Sequence, residues 1–213
     1  NLRNEGIPAE RIRCVGNVMI DSLFKNLERA RRSNIKNELG LSGDDYSVLT
    51  LHRPVNVDAR EPFERIIDAL ESISAQLPVI FPAHPRTRKT LKDLGLESRL
   101  AQLANVRIIA PLGYLDFLAL YSTARLVMTD SGGIQEETTA LGIPCLTLRE
   151  NTERPITIEH GTNVLVGTDT ALIISEATKA LNGSAERVNH DIPLWDGHAA
   201  ERILDVLEEV VPS

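Results

Sequence analysis

Short runs of β-branched and aliphatic residues alternate along the chain with longer stretches whose apolar positions recur at helical spacing. Strands are predicted at residues 47–52, 79–83, 106–110, 126–129, 145–148 and 164–166. Amphipathic helices are predicted between them at 62–76, 86–94, 114–123, 133–141 and 170–181. Strands separated by helices run parallel and are joined by right-handed crossovers. The pattern therefore predicts an α/β, doubly wound, Rossmann-like parallel sheet of about six strands, covered by helices on both faces. Such sheets take ligands in the crevice beyond the carboxyl ends of their strands. Two outer stretches stand apart from this core. Residues 15–32, opened by Gly16-Asn17, and residues 197–211, which follow the turn Pro193-Leu-Trp-Asp-Gly197, read as amphipathic helices available to a partner domain.

Composition narrows the partners. A chain of 213 residues, 42% hydrophobic and 25% charged, builds one substantial core. Its net charge of −7 gives no general attraction for nucleic acid or an anionic membrane, so an anionic ligand must meet local positive groups. No segment approaches the roughly 18 apolar residues of a membrane span, and no signal peptide opens the chain, so a cytoplasmic location is expected. Two cysteines are too few for a disulfide framework, and Cys145, in an apolar run, is expected to be a buried structural thiol. The chain opens on Asn1 rather than Met, and a fragment is expected.

Candidate chemistry gathers where the predicted strands end. After Leu126-Val-Met-Thr129 come Asp130, Ser131, Gly132 and Gly133, then Ile134-Gln-Glu-Glu137 at the start of a helix. Glycines permit close backbone approach, free N–H groups at the positive end of a helix attract phosphate, and Ser131 adds a hydroxyl donor. Glu137, about one turn in, is placed to accept both hydroxyls of a ribose beside a bound diphosphate. A plain helix cap accounts for the same residues, with Asp130 or Ser131 as the N-cap and Gln135 or Glu136 completing it, worth about 1 kcal/mol. Neither a G-x-G-x-x-G nor a Walker lysine motif is present, and no cofactor is expected.

His52-Arg53, His84-Pro85-Arg86 and Arg149-Glu-Asn-Thr-Glu-Arg154 also follow predicted strands, so three basic clusters meet on one sheet edge. A lone histidine is more often structural than catalytic, and a lone arginine more often a surface ion pair. The shared edge shifts that balance toward a ligand. The guanidinium of Arg154 suits the oxygens of a diphosphate. His52 and His84 lack a further ligand at metal-binding spacing, and no metal is expected. The basic run from Arg86 to Lys92 reads as a solvated helix face, since the chain is acidic and only 4% aromatic.

Five segments together resemble the signatures of UDP-N-acetylglucosamine 2-epimerases. They are Leu51-His-Arg-Pro-Val-Asn-Val-Asp58, His84-Pro85-Arg86, Thr129-Asp-Ser-Gly-Gly-Ile-Gln-Glu-Glu137, Arg149-Glu-Asn-Thr-Glu-Arg-Pro155 and Asp196-Gly-His-Ala-Ala-Glu-Arg-Ile203, which span nearly the whole chain. The resemblance implies the second lobe of a glycosyltransferase-B-type, two-lobe architecture with UDP-sugar in the cleft. Residues 1–32 would then be the end of the first lobe and a linker helix, 33–196 the UDP-binding domain, and 197–213 a helix packing toward the first lobe. It implies interconversion of UDP-GlcNAc and UDP-ManNAc by eliminating UDP and adding it back, for surface polysaccharide precursors. The catalytic carboxylates are expected in the first lobe, and this chain alone is expected to be inactive.

On individual residues, the resemblance implies that Ser131, Gly132 and Gly133 bind the diphosphate, Glu137 the ribose, Phe117 the uracil surroundings and Arg154 the phosphate region. It gives His52 a catalytic place at a diphosphate oxygen. Arg53 and His84 match positions touched by a second, allosteric UDP-GlcNAc, although Pro54 and Val55 replace residues of the H-R-R-E-N segment common among bacterial members. The expected partners are a UDP-sugar, the N-terminal lobe and a second copy in a homodimer, with no nucleic acid and no membrane. A hydrolysing epimerase, a glycosyltransferase of the same architecture and a non-catalytic sugar-nucleotide-binding module remain as alternatives.

Overall fold

The computed structural model describes residues 2–41, 43, 45–183 and 192–210. Asn1, residues 184–191 of the expected central domain and residues 211–213 of the expected last helix lie outside the described residues. After a 3₁₀ turn at Ala9–Arg11, helices α1 (Val18–Ala30) and α2 (Ile35–Glu38) lead to strand β1 (Ser47–Thr50). Helices α3 (Pro54–Val57) and α4 (Arg60–Ser74) connect β1 to β2 (Val79–Pro82), and α5 (Pro85–Asp93) and α6 (Glu97–Gln102) lead to β3 (Val106–Ile109). Then follow α7 (Tyr114–Tyr121), β4 (Leu126–Thr129), α8 (Gly132–Ala140) and β5 (Cys145–Thr147). The last elements are α9 (Ile156–Glu159), β6 (Asn163–Leu165), α10 (Thr170–Asn182) and α11 (Ala199–Val210).

The strands form one six-stranded parallel sheet in the order β3-β2-β1-β4-β5-β6, the doubly wound arrangement that the alternation predicts. The order reverses between β1 and β4, where Thr50 pairs with Thr129, and a crevice opens there beyond the strand ends. Successive strand residues point to opposite faces. Leu49, Met128 and Leu146 enter a core with Phe63 and Ile66 of α4 and Ile173 of α10. Val48, Val127 and Cys145 enter a second core with Ile20 and Leu23 of α1 and Leu118 and Tyr121 of α7. Burial pushes the Cys145 thiol up to about 12, which keeps it an inert packing group.

Helix α1 therefore belongs to this domain's own packing, which corrects the expectation that residues 15–32 stand apart from the core. Asn17 caps it by accepting the Met19 N–H at 2.9 Å, and its apolar stripe is covered by α7 and α8. Asp21 of α1 in turn accepts the N–H groups of Ala199 at 3.1 Å and Ala200 at 2.7 Å, capping α11 from outside. Beyond buried Ala199, α11 leaves Leu204, Leu207 and Val210 exposed. Helices α2, α3, α6 and α9 are too short for helical periodicity to register in the sequence. Strand β1 ends two residues before the expected 52, because the backbone N–H groups of His52 and Arg53 go to the Asp130 carboxylate instead of a neighbouring strand. Among the described residues no helix is long and apolar enough to cross a membrane, and no group of three or more His, Cys, Asp or Glu is placed to hold a metal ion.

Candidate nucleotide site

The switch point is tied together by one carboxylate. Asp130, immediately after β4 and fully buried, accepts the His52 N–H at 3.1 Å, the Arg53 N–H at 2.9 Å and the Asn56 amide at 3.1 Å. Its Oδ1 also lies 2.8 Å from His52 Nδ1, and its own carbonyl accepts from Arg53 Nε at 3.1 Å. Asn56 reaches on to the Leu148 carbonyl at 2.9 Å, which links the ends of β1, β4 and β5. Burial alone would push the Asp130 carboxyl up, yet the hydrogen bonds from His52 and Arg53 outweigh it and hold the pKa below the usual value. The same hydrogen bond to Asp130, against a smaller opposing effect of burial, raises His52 above 6.5. A carboxylate only accepts, so Nδ1 carries the proton and Nε2 is not used by this contact, on a side chain that is 55% exposed.

Two residues further on, helix α8 begins without a side-chain cap among the described residues. Asp130 faces β1 rather than the helix, and the Ser131 N–H is taken by Thr129 Oγ1 at 3.0 Å. Gln135 binds the Thr152 hydroxyl and the Ser131 carbonyl, and Glu136 binds Asn17, so the capping alternative is not what these residues do. Gly132 and Gly133 have ordinary negative φ, and a Cβ built on Gly132 meets nothing within 4 Å. Neither backbone strain nor internal packing calls for glycine at Gly132. What the pair provides is an open approach to first-turn N–H groups that have no intrahelical acceptor, at the positive end of the helix dipole.

Glu137 lies one turn deeper, 4% exposed, with Tyr121 Oη at 2.5 Å from Oε2 and Tyr114 Oη at 3.1 Å from Oε1. Burial raises its carboxyl pKa and the two phenol hydrogen bonds oppose the rise. The Tyr121 ring packs on Phe117 with centroids 5.1 Å apart. Phe117, His84 and Thr50 line a cavity of about 150 Å³ with Pro82, Pro111 and Leu112. Arg154 Nε sits 3.0 Å from Glu136 Oε1, and the buried Arg149 grips Glu153 with two contacts of 2.7 Å.

The family model for UDP-N-acetylglucosamine 2-epimerase matches residues 1–208. The chain belongs to this epimerase family. It is 41% identical over 213 residues to the UDP-N-acetylglucosamine 2-epimerase of Methanocaldococcus jannaschii, covering 97% of this chain and 57% of that protein. It is 37% identical over 215 residues to the UDP-2,3-diacetamido-2,3-dideoxy-D-glucuronate 2-epimerase of Pseudomonas aeruginosa, covering 99% and 57%. The crystal structure of the M. jannaschii UDP-GlcNAc 2-epimerase in complex with UDP-GlcNAc and UDP matches with a TM-score of 0.83 at 40% identity, over 96% of this chain and 57% of that one. The chain thus spans a little over half the length of these epimerase relatives.

The residues singled out by the epimerase resemblance fall into connected groups. His52, Arg53, Ser131, Gly132 and Gly133 gather at the switch point around Asp130. Glu137 and Phe117 are joined through Tyr121, and His84 shares the cavity of Phe117. His84 also caps α5, accepting the Arg86 N–H at 3.3 Å. Arg154 points to Glu136. Sequence reasoning misses Asn56, Tyr114 and Tyr121, and treats Asp130 only as a cap. Tyr114 and Tyr121 stand seven positions apart on one helix, a spacing that places them on a single face and was available as a signal.

Proposed function

We propose that this chain is the UDP-binding lobe of a UDP-N-acetylglucosamine 2-epimerase, a two-lobed enzyme that inverts C2 of a UDP-2-acetamido sugar. The observation that carries the reading is the uncapped Gly132-Gly133 start of α8 at the switch point, beside a histidine fixed by a buried carboxylate. In this reading the diphosphate rests on the hydroxyl of Ser131 and the backbone N–H groups of Gly132 and Gly133. The ribose hydroxyls donate to Glu137, and the uracil enters the cavity lined by Phe117. Arg154 exchanges its contact with Glu136 for the phosphate region. Arg53 and His84 flank this site as candidate contacts for a second, regulatory UDP-GlcNAc.

The reaction removes the proton at C2, breaks the bond from C1 to the diphosphate oxygen to give a 2-acetamidoglucal and UDP, and then adds UDP back with the proton delivered to the other face of C2. Negative charge grows on the departing diphosphate. The α8 N-terminus and His52 Nε2, whose proton affinity is raised by Asp130, are suited to stabilise it. The group that works at C2 is assigned to a first lobe, consistent with the 57% of the relatives' length that this chain covers. A homodimer of the full-length protein, a cytoplasmic location and a use in polysaccharide precursor synthesis go with this reading. The relation to the P. aeruginosa enzyme favours, as a second substrate, a UDP-2-acetamido sugar bearing further groups.

The test is to incubate the full-length protein, and separately this chain, with UDP-GlcNAc and to resolve UDP-ManNAc from free ManNAc plus UDP. The full-length protein is expected to yield UDP-ManNAc and the chain alone none. Free ManNAc would establish a hydrolysing enzyme, and turnover by the isolated chain would refute the division of labour between lobes.

A further inference from the structure

Two tyrosines of α7 close on Glu137 from different oxygens, and the proposed diphosphate contacts use neither of them. Tyr121 Oη donates to Oε2 at 2.5 Å and Tyr114 Oη to Oε1 at 3.1 Å. Tyr121 is fully buried and Glu137 is 4% exposed, whereas Tyr114 is 44% exposed. Satisfying buried phenols does not account for this arrangement. A phenylalanine and an aliphatic residue would fill the same volume without the cost of burying a carboxylate.

The arrangement does account for recognition of a vicinal diol. An ionised carboxylate offers about four acceptor positions. The two phenols occupy one position on each oxygen and leave one acceptor position on each. Burial favours a protonated Glu137, which would lose one acceptor. The two donated hydrogen bonds limit the rise in its pKa without reversing it. Burial, together with the charge of Glu137, pushes both phenols well up from their ordinary value, so they remain donors at any working pH. Tyr121 also packs on Phe117, at an interplanar angle of 60°, which ties the carboxylate to the wall of the adjacent cavity.

We propose that Tyr121 and Tyr114 are positioning residues that clamp the Glu137 carboxylate as a receptor for the ribose cis-diol, making the site selective for ribonucleotides over their deoxy counterparts. This inference rests on the nucleotide reading of the α8 site.

Calorimetric titration of the protein with UDP and with 2′,3′-dideoxy-UDP tests it. The wild type is expected to favour UDP by about a hundredfold, the effect of two hydrogen bonds to a charged group. Tyr121→Phe keeps the ring against Phe117 and removes only the hydroxyl. It is expected to cut the UDP preference by about tenfold or more while leaving dideoxy-UDP affinity unchanged. Tyr114→Phe, at an exposed position, is expected to act in the same direction more weakly, and it decides the question if Tyr121→Phe does not fold. An unchanged preference, or equal weakening of both ligands, overturns the clamp and leaves the nucleotide site standing. A wild type that binds UDP without preferring it does the same. A wild type that binds neither ligand overturns the nucleotide reading and the clamp with it.

Discussion

Replacing Asp130 by asparagine preserves its shape but sets an amide donor where the His52 and Arg53 N–H groups and the Asn56 amide all need an acceptor. Removing the charge also strips His52 of its partner. Asp130→Asn is expected to destabilise the fold by about 3 kcal/mol, read from denaturant unfolding. The pair also sets a pH window. The folded pKa of His52 is raised above 6.5, so its contribution is complete below 6.5 and is lost as pH rises through the raised value. Asp130 is lowered from 3.8, so its contribution is present above 3.8 and is lost as pH falls through the lowered value. Thermal melts across pH are expected to show Tm declining on both sides, and His52→Gln is expected to remove the alkaline decline. This contact is not legible in the sequence. Its partners lie 78 residues apart, and only the strand order β1-β4 brings them together.

Among the elements, α8 opens the proposed ligand site and is the most legible part of the chain. A glycine pair between an apolar strand and a helix is a local pattern that survives without tertiary information. What local pattern leaves undecided is whether Asp130 and Ser131 cap that helix, since capping and ligand binding use the same residue types. The structure separates them by turning Asp130 toward β1. Gly132→Ala gives the corresponding experimental separation, because its added Cβ has open space and an ordinary φ. Stability is expected to hold or to rise by about 0.5 kcal/mol in thermal melts. UDP affinity is expected to fall by about tenfold or more, because the methyl group would stand where the proposed diphosphate contact lies. A glycine needed only for folding would show the reverse.

In the whole molecule, the alternation of apolar runs and helical stretches fixes the doubly wound sheet because the inner strands β2, β1, β4 and β5 are buried on both faces and each crossover must be covered. The same pattern leaves open where α1 belongs. Its leucines signal an apolar face without naming the partner, and the structure places that face on α7 and α8. Asp21 then joins α1 to α11 across 178 residues. Asp21→Ala is expected to lower hydrogen-exchange protection of the α11 amides by about tenfold and to leave the sheet unaffected, because it removes only a helix cap. The proposed nucleotide site at the switch point is tested most directly by following backbone amide resonances while the protein is titrated with UDP. The largest saturable shifts are expected at Gly132, Gly133 and Ile134, accompanied by the His52 ring. Saturable binding that leaves those amides unmoved and shifts instead the cavity of about 240 Å³ beside Arg149 and Gly167 would contradict it.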